Sequence, residues 1–261
     1  MTPVLSLYAE RDSGLHRLHP LTKAAIAVFC LAAGLAAPGD WGAFAVFAAV
    51  VMPVAAWGRI LRPLLLAVWR STWPFALSLF LIQGFLWPGG TPLAAIGPAA
   101  LKVEGLRFAV QATGRILALV AGFLLLSLST RPDALMLALT RVGVPRSVAY
   151  IVLTTLQIVP RFRARAAAIL DAQRARGMET GGNLRQRARG LLPLVVPLVL
   201  GSIVEVEERA IALEARAFGR GGPRTSLLVL ADSPAQAVAR WGLLLAACAA
   251  VATRVLMGVG A

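Results

Sequence analysis

Residues 191–219 read "LLPLVVPLVLGSIVEVEERAIALEARAFG", and the first fourteen of them carry no charge. That run is too short to cross a bilayer, which takes about 20 residues for roughly 30 Å of hydrocarbon. It suits a helix that slides along a membrane surface or packs beneath other helices. The remainder is rich in strong helix formers, and Glu205 with Arg209 makes a favourable i,i+4 pair. The stretch predicts one helix from near Leu191 to just before Gly219, greasy in its first half and charged in its second.

Its last turn has a twin. "ALEARAF" (212–218) and "AQRARGM" (172–178) share the pattern Ala-x-x-Ala-Arg-small-apolar, with Arg176 and Arg216 in the same slot. Upstream of the earlier copy, Ile151, Thr155, Ile158, Phe162, Ala166, Ile169 and Gln173 recur at steps of three and four. That is the stripe of an amphipathic helix. Pro160 predicts a kink in it, and Gly177, Gly181 and Gly182 predict its stop. Both signatures therefore fall at the end of a long helix. "ARA" recurs at Ala164 and "ARG" at Ala188, but without the earlier alanine and without a helix end.

An arginine in a last turn is favoured by the helix dipole, by about 0.3–1 kcal/mol. The signature offers more than that. Alanines at i and i+3 leave a bare face that another backbone can approach closely. The arginine projects beyond it as a planar, permanently charged fork. Such a tip fits a groove on a partner and pairs with a carboxylate there. Two tips suggest two partner subunits, or two halves of a dimer.

Further out, the chain is built for lipid. It has 261 residues, 58% of them hydrophobic and 15% charged. Its mean hydropathy is +0.76. A soluble domain carries about a quarter charged residues. The net charge of +14 would suit nucleic acid. However, the basic residues sit between apolar runs rather than along one soluble face, so no nucleic acid is expected. Cys30 and Cys248 lie in separate apolar stretches and imply no disulfide framework.

Five runs are candidate spans: 24–37, 41–57, 71–87, 108–129 (broken by Arg115) and 237–259. Arg240 and Arg254 lie near the ends of the fifth, where they can snorkel. Arg11, Arg17 and Lys23 precede the first run, Arg59, Arg62 and Arg70 follow the second, and a dense basic segment follows the fourth. The loop between the first two runs has no basic residue. Excess Lys and Arg belongs in the cytoplasm. The expected fold is all-α, with about five transmembrane helices and the N-terminus cytoplasmic. It divides as a membrane region (1–130), a cytoplasmic region of long amphipathic helices (131–236) and a last span (237–261) ending outside. Pro74, Pro88, Pro92 and Pro98 predict kinks and an irregular loop around the third span.

At these residues the chain resembles a known family, the transmembrane T component of energy-coupling factor transporters. "DSGLHRLHPLTK" (12–23) is similar to the family's opening, where the position of His19 is more often Asp. "GVPRSVAYIVLTTLQIVPRFRARAAAILDAQRARG" (143–177) and the 191–219 stretch resemble its coupling-helix regions. The resemblance covers essentially the whole chain. It implies that Ala172, Ala175, Arg176, Gly177, Ala212, Ala215, Arg216 and Ala217 contact two ABC-type ATPase subunits. The second copy reads "ARA" where many relatives end in glycine. The resemblance also implies a separate substrate-binding S subunit for a vitamin or metal ion. Leu194, Leu198, Val199 and Ile203 are its candidate contacts, with packing against the chain's own spans as the other reading. It places the protein in the inner (cytoplasmic) membrane, among lipid.

The residues fit a subunit that catalyses nothing itself. Neither Lys23 nor Lys102 lies in a Gly-rich phosphate loop, so energy must come from a partner. No cofactor, metal site or catalytic residue is expected: His16 and His19 have metal-ligand spacing, but only Asp12 lies near them. The alternative is the permease subunit of a conventional ABC importer, which typically docks through one coupling loop.

Overall fold

The computed structural model describes residues 13–88, 91–96, 99–177, 184–218 and 230–259. Nearly all of it is helical. A short turn, α1 (Gly14–Arg17), leads into α2 (Pro20–Ala36), whose first residue is a proline with φ already set for a helix. Next come α3 (Gly42–Val46), a π turn (Phe47–Val51) and α4 (Met52–Trp57), which together form one apolar rod. The widened turn, with Met52 N–H donating to Phe47 O, precedes Pro53, a residue with no N–H to give.

Helix α5 (Leu61–Leu86) begins ten residues before the third uncharged run, takes in Arg62 and Arg70, and continues through Pro74. The expected irregular loop after it is instead a small antiparallel hairpin, β1 (Pro92–Ile96) with β2 (Ala99–Lys102). Pro92 stands at the first position of its strand, where a missing donor is tolerated. Strands this short and apolar carry no clear alternation, so pattern alone does not separate them from a loop. The chain continues as α6 (Val103–Ser129), α7 (Pro132–Arg141), α8 (Arg146–Ala175), α9 (Leu184–Ala215) and α10 (Pro234–Val259).

The chain divides into two compact units, one of Ser6–Val144 with Leu230–Ala261, the other containing Pro145–Val229. In the first, α6 is the central helix and packs against α5, α2 and α3. Small residues permit this. A Cβ on Gly34 would stand 2.6 Å from Ala118 Cβ, and one on Gly114 would stand 2.8 Å from the Phe44 ring. Between helices in lipid the gain comes from close packing, and side chains this small let backbones approach. Helices α10 and α7 both pack on α2. The core gathers Leu15, Ile26, Cys30, Val51, Leu64, Val68 and Leu125. The buried Lys23 pins α2 to the end of α6 by donating from Nζ to Ser129 O at 2.7 Å. A cation on the last carbonyls of a helix is favourably placed.

Among the described residues, three helices are long and apolar enough to cross a membrane: Leu61–Leu86, Val103–Ser129 and Pro234–Leu256. Pro20–Ala36 and Gly42–Trp57 are shorter apolar helices. The five expected runs fall in these five rods. Trp69, Phe75, Leu86, Phe123, Leu245 and Leu256 are all exposed on them, far more apolar surface than a water-soluble monomer presents. The molecule is an all-α membrane protein.

Candidate functional site: paired helix tips

The second unit contains the two long helices α8 and α9, which pack against each other. Pro145 starts α8 as its cap, and the helix runs through Pro160 to Ala175. Ile158, Phe162, Ala166, Ile169 and Gln173 on the expected stripe are half-buried, while Ile151 and Thr155 are exposed. Helix α9 begins at Leu184, seven residues before the expected start at Leu191. The basic stretch 185–189 therefore belongs to its first turns. Lysine and arginine are good helix formers, so charge did not mark a boundary there.

The pair runs antiparallel. Arg161 and Arg165 on α8 meet Glu205 on α9 at 3.5 and 3.3 Å. Eleven residues before Arg161 and thirteen after Glu205, the Tyr150 and Phe218 rings lie 5.0 Å apart between centroids. The end of α9 thus returns to the start of α8. Arg176 and Arg216 consequently stand at opposite ends of the pair, about 35–40 Å apart along α8 at 1.5 Å per residue.

Both tips are built alike. Arg176 caps α8 with φ −86° and ψ 9°, and Gly177 follows with φ 85°. Gly177 N–H donates to Arg174 O at 2.9 Å. At the other tip Ala217, with φ 52°, donates from its N–H to Glu214 O at 2.8 Å, and Phe218 N–H donates to Leu213 O at 2.9 Å. These last two bonds are the Schellman pattern, which satisfies carbonyls a helix end leaves open. Each signature therefore places its arginine on the final turn and reverses the chain in the next residue. Gly181 and Gly182, also expected as stops, lie outside the described residues.

Ala172, Ala175, Arg176 and Gly177 are exposed, as are Ala212, Ala215, Arg216 and Ala217. Several arginines near the tips or along the pair are occupied: Arg174 with Asp171 at 3.2 Å, and Arg161, Arg165 and Arg209 with Glu205. Among the described residues no carboxylate pairs with Arg176 or Arg216. The two tips present the same bare alanine face and the same open guanidinium, a fork suited to a bidentate carboxylate.

The S-subunit candidates divide between two faces of α9. Leu194 and Leu198 are half-buried and lie on the stripe that continues through Gly201 to Glu205, the side turned toward α8. Val199 and Ile203 are exposed, beside Val195, Val196, Leu200 and Val204. His16 Nδ1 lies 2.7 Å from Ser13 Oγ, and His19 Nδ1 accepts from Leu21 N–H at the start of α2. Sequence reasoning missed Glu205 as the meeting point of three arginines. The i,i+4 spacing of Arg161 and Arg165 was the available signal.

Residues 11–227 match the family model CbiQ, described as cobalt transport protein. The energy-coupling factor transporter transmembrane protein EcfT of Thermosediminibacter oceani is 31% identical over 237 residues, covering 84% of this chain and 86% of the relative. The same component from Heliobacterium modesticaldum is 30% identical over 238 residues, 88% of this chain and 89% of the relative. That from Listeria innocua is 28% identical over 236 residues. The match spans both signatures and most of the membrane helices, and the chain belongs to the CbiQ family as a transmembrane component of an energy-coupling factor transporter.

Proposed function

We propose that this protein couples two cytoplasmic ABC-type ATPases to a separate substrate-binding membrane subunit that takes up a vitamin or a metal ion. The observation that carries the reading is the pair of matched tips: the same Ala-x-x-Ala-Arg pattern, the same positive-φ reversal after the arginine, opposite ends of one helix pair, and no carboxylate on either guanidinium among the described residues. Two equivalent docking sites spaced this far apart suit two copies of a partner better than one. Each arginine enters a groove on an ATPase and pairs with a carboxylate there. ATP-driven closure of the two ATPases shifts the tips, and α8 and α9 carry the shift to the bound substrate subunit. The exposed apolar side of α9, with Val199 and Ile203, is the surface offered to that subunit; Leu194 and Leu198 support it from the α8 side.

In this reading the protein sits in the inner (cytoplasmic) membrane with its N-terminus inside. Residues 1–130 form the N-terminal membrane region, 131–236 the cytoplasmic coupling region and 237–261 the last span. The reaction chemistry belongs to the ATPases. Co-purification from membranes in mild detergent, with mass spectrometry of the bound proteins, tests the assignment. An ABC ATPase together with a small membrane protein is the expected result. Recovery of the chain with neither contradicts it.

A further inference from the structure

Glu205 lies near the middle of the α8–α9 pair and takes three guanidiniums. Its Oε1 accepts Arg209 Nη2 at 2.7 Å from its own helix and meets Arg161 Nη1 at 3.5 Å from α8. Its Oε2 meets Arg165 Nη1 at 3.3 Å. Gly201, one turn earlier, makes room: a Cβ there would stand 3.3 Å from Arg165 Nη1. A single exposed ion pair contributes little, but a carboxylate shared by several arginines restrains them together. Its removal also has a sign. With the carboxylate gone, three cations on two helices face one another, and attraction between α8 and α9 becomes repulsion.

We infer that Glu205 is a positioning residue that fixes the spacing of α8 and α9, so that a displacement imposed at either arginine tip is passed to both helices. This rests on the reading that the tips dock on ATPases. Glu205 touches neither tip: it lies about three to four turns from Arg176, counted along α8 from Arg161 and Arg165, and about three from Arg216, at 3.6 residues per turn. It acts through the helices alone.

The test has two arms. In the isolated protein, with Cys30 and Cys248 replaced by serine, spin labels on Ala172→Cys and Ala212→Cys report the distance between the tips by pulsed electron resonance. A narrow distance distribution is expected for the parent and a broad one for Glu205→Gln. Inverting the cluster, with Glu205→Arg, Arg161→Glu, Arg165→Glu and Arg209→Glu together, should narrow it again. In the full complex, Glu205→Gln should keep its ATPases and lose substrate uptake per ATP hydrolysed by about fivefold or more, the range of ordinary coupling energies. An equally narrow distribution in Glu205→Gln overturns the inference. So does a broadened one with unchanged uptake per ATP, and so does loss of the ATPases in step with uptake, which would make the residue merely structural. A parent chain that binds no ATPase would sink the docking reading while leaving the distance arm to decide the role of Glu205 in the helix pair.

Discussion

Gly177 and Ala217 occupy the same place forty residues apart: each follows a helix-ending arginine, and each has a positive φ, 85° and 52°. Glycine enters that region freely, whereas alanine does so against its Cβ, at about 1–2 kcal/mol. The second tip therefore carries strain that the first does not. Ala217→Gly should raise thermal stability in detergent, and Gly177→Ala should lower it, each by about 1 kcal/mol. If both changes shifted the melting temperature in the same direction, the two caps would not be equivalent.

His19 leads to a pH dependence. Its ring lies buried at the N-cap of α2, where Nδ1 accepts from Leu21 N–H at 3.3 Å. Burial lowers its pKa from 6.5, opposed by Asp232 and aided by Arg240, Arg141 and Lys23. The folded value lies below the unfolded one, so the unfolded chain takes the proton first. The stability this supplies is present above pH 6.5 and is lost as pH falls below that through the folded value. Melting temperature should hold between about pH 8 and 7 and decline toward pH 5. His19→Asp keeps an N-cap acceptor and should flatten that decline. A parent profile that is flat down to pH 5 would contradict the account.

Much of the fold was legible because lipid imposes a simple rule: uncharged runs are helices. The five runs and the five rods coincide for that reason. The boundaries were less legible where good helix formers carry charge. Arg62 and Arg70 read as a loop yet lie in α5, and the segment from Arg185 to Arg189 lies in α9. The two tips were legible as a repeat with helix-end context. What the sequence hid was pairing between distant residues. Tyr150 meets Phe218 at one end of the pair and Arg165 meets Glu205 near its middle; neither contact leaves a local pattern.

Membrane sidedness has a direct check. In a background without Cys30 and Cys248, a membrane-impermeant thiol reagent applied to intact cells should label Leu93→Cys, in the β1 strand, and spare Ala172→Cys. Permeabilised cells should label both. Labelling of Ala172→Cys from the outside would invert the topology.

The exposed side of α9 should accept no charge. Val199 and Ile203 are 49% and 58% exposed in the isolated chain. Within an apolar contact, a new carboxylate is destabilising by several kcal/mol unless neutralised. Val199→Glu and Ile203→Glu should leave the ATPases bound and release the substrate subunit, as read by co-purification of each. Normal uptake by both variants would show that this side meets nothing apolar.

The paired arginines are the centre of the account, and the deciding measurement is ATPase co-purification with charge-reversed tips. Arg176→Glu or Arg216→Glu sets a carboxylate against the partner's own, a penalty of about 2–5 kcal/mol per site. Each single change should weaken ATPase binding and reduce uptake, and the double change should release the ATPases. Lysine at either position should rescue only partly, because it lacks the planar fork. Arg163→Glu is the control: it is exposed on α8 and away from both tips, whereas Arg165 is engaged with Glu205. The account predicts that Arg163→Glu keeps its ATPases while the double tip variant loses them. Equal loss from control and tips would contradict it, and would mean that the region acts through its bulk positive charge.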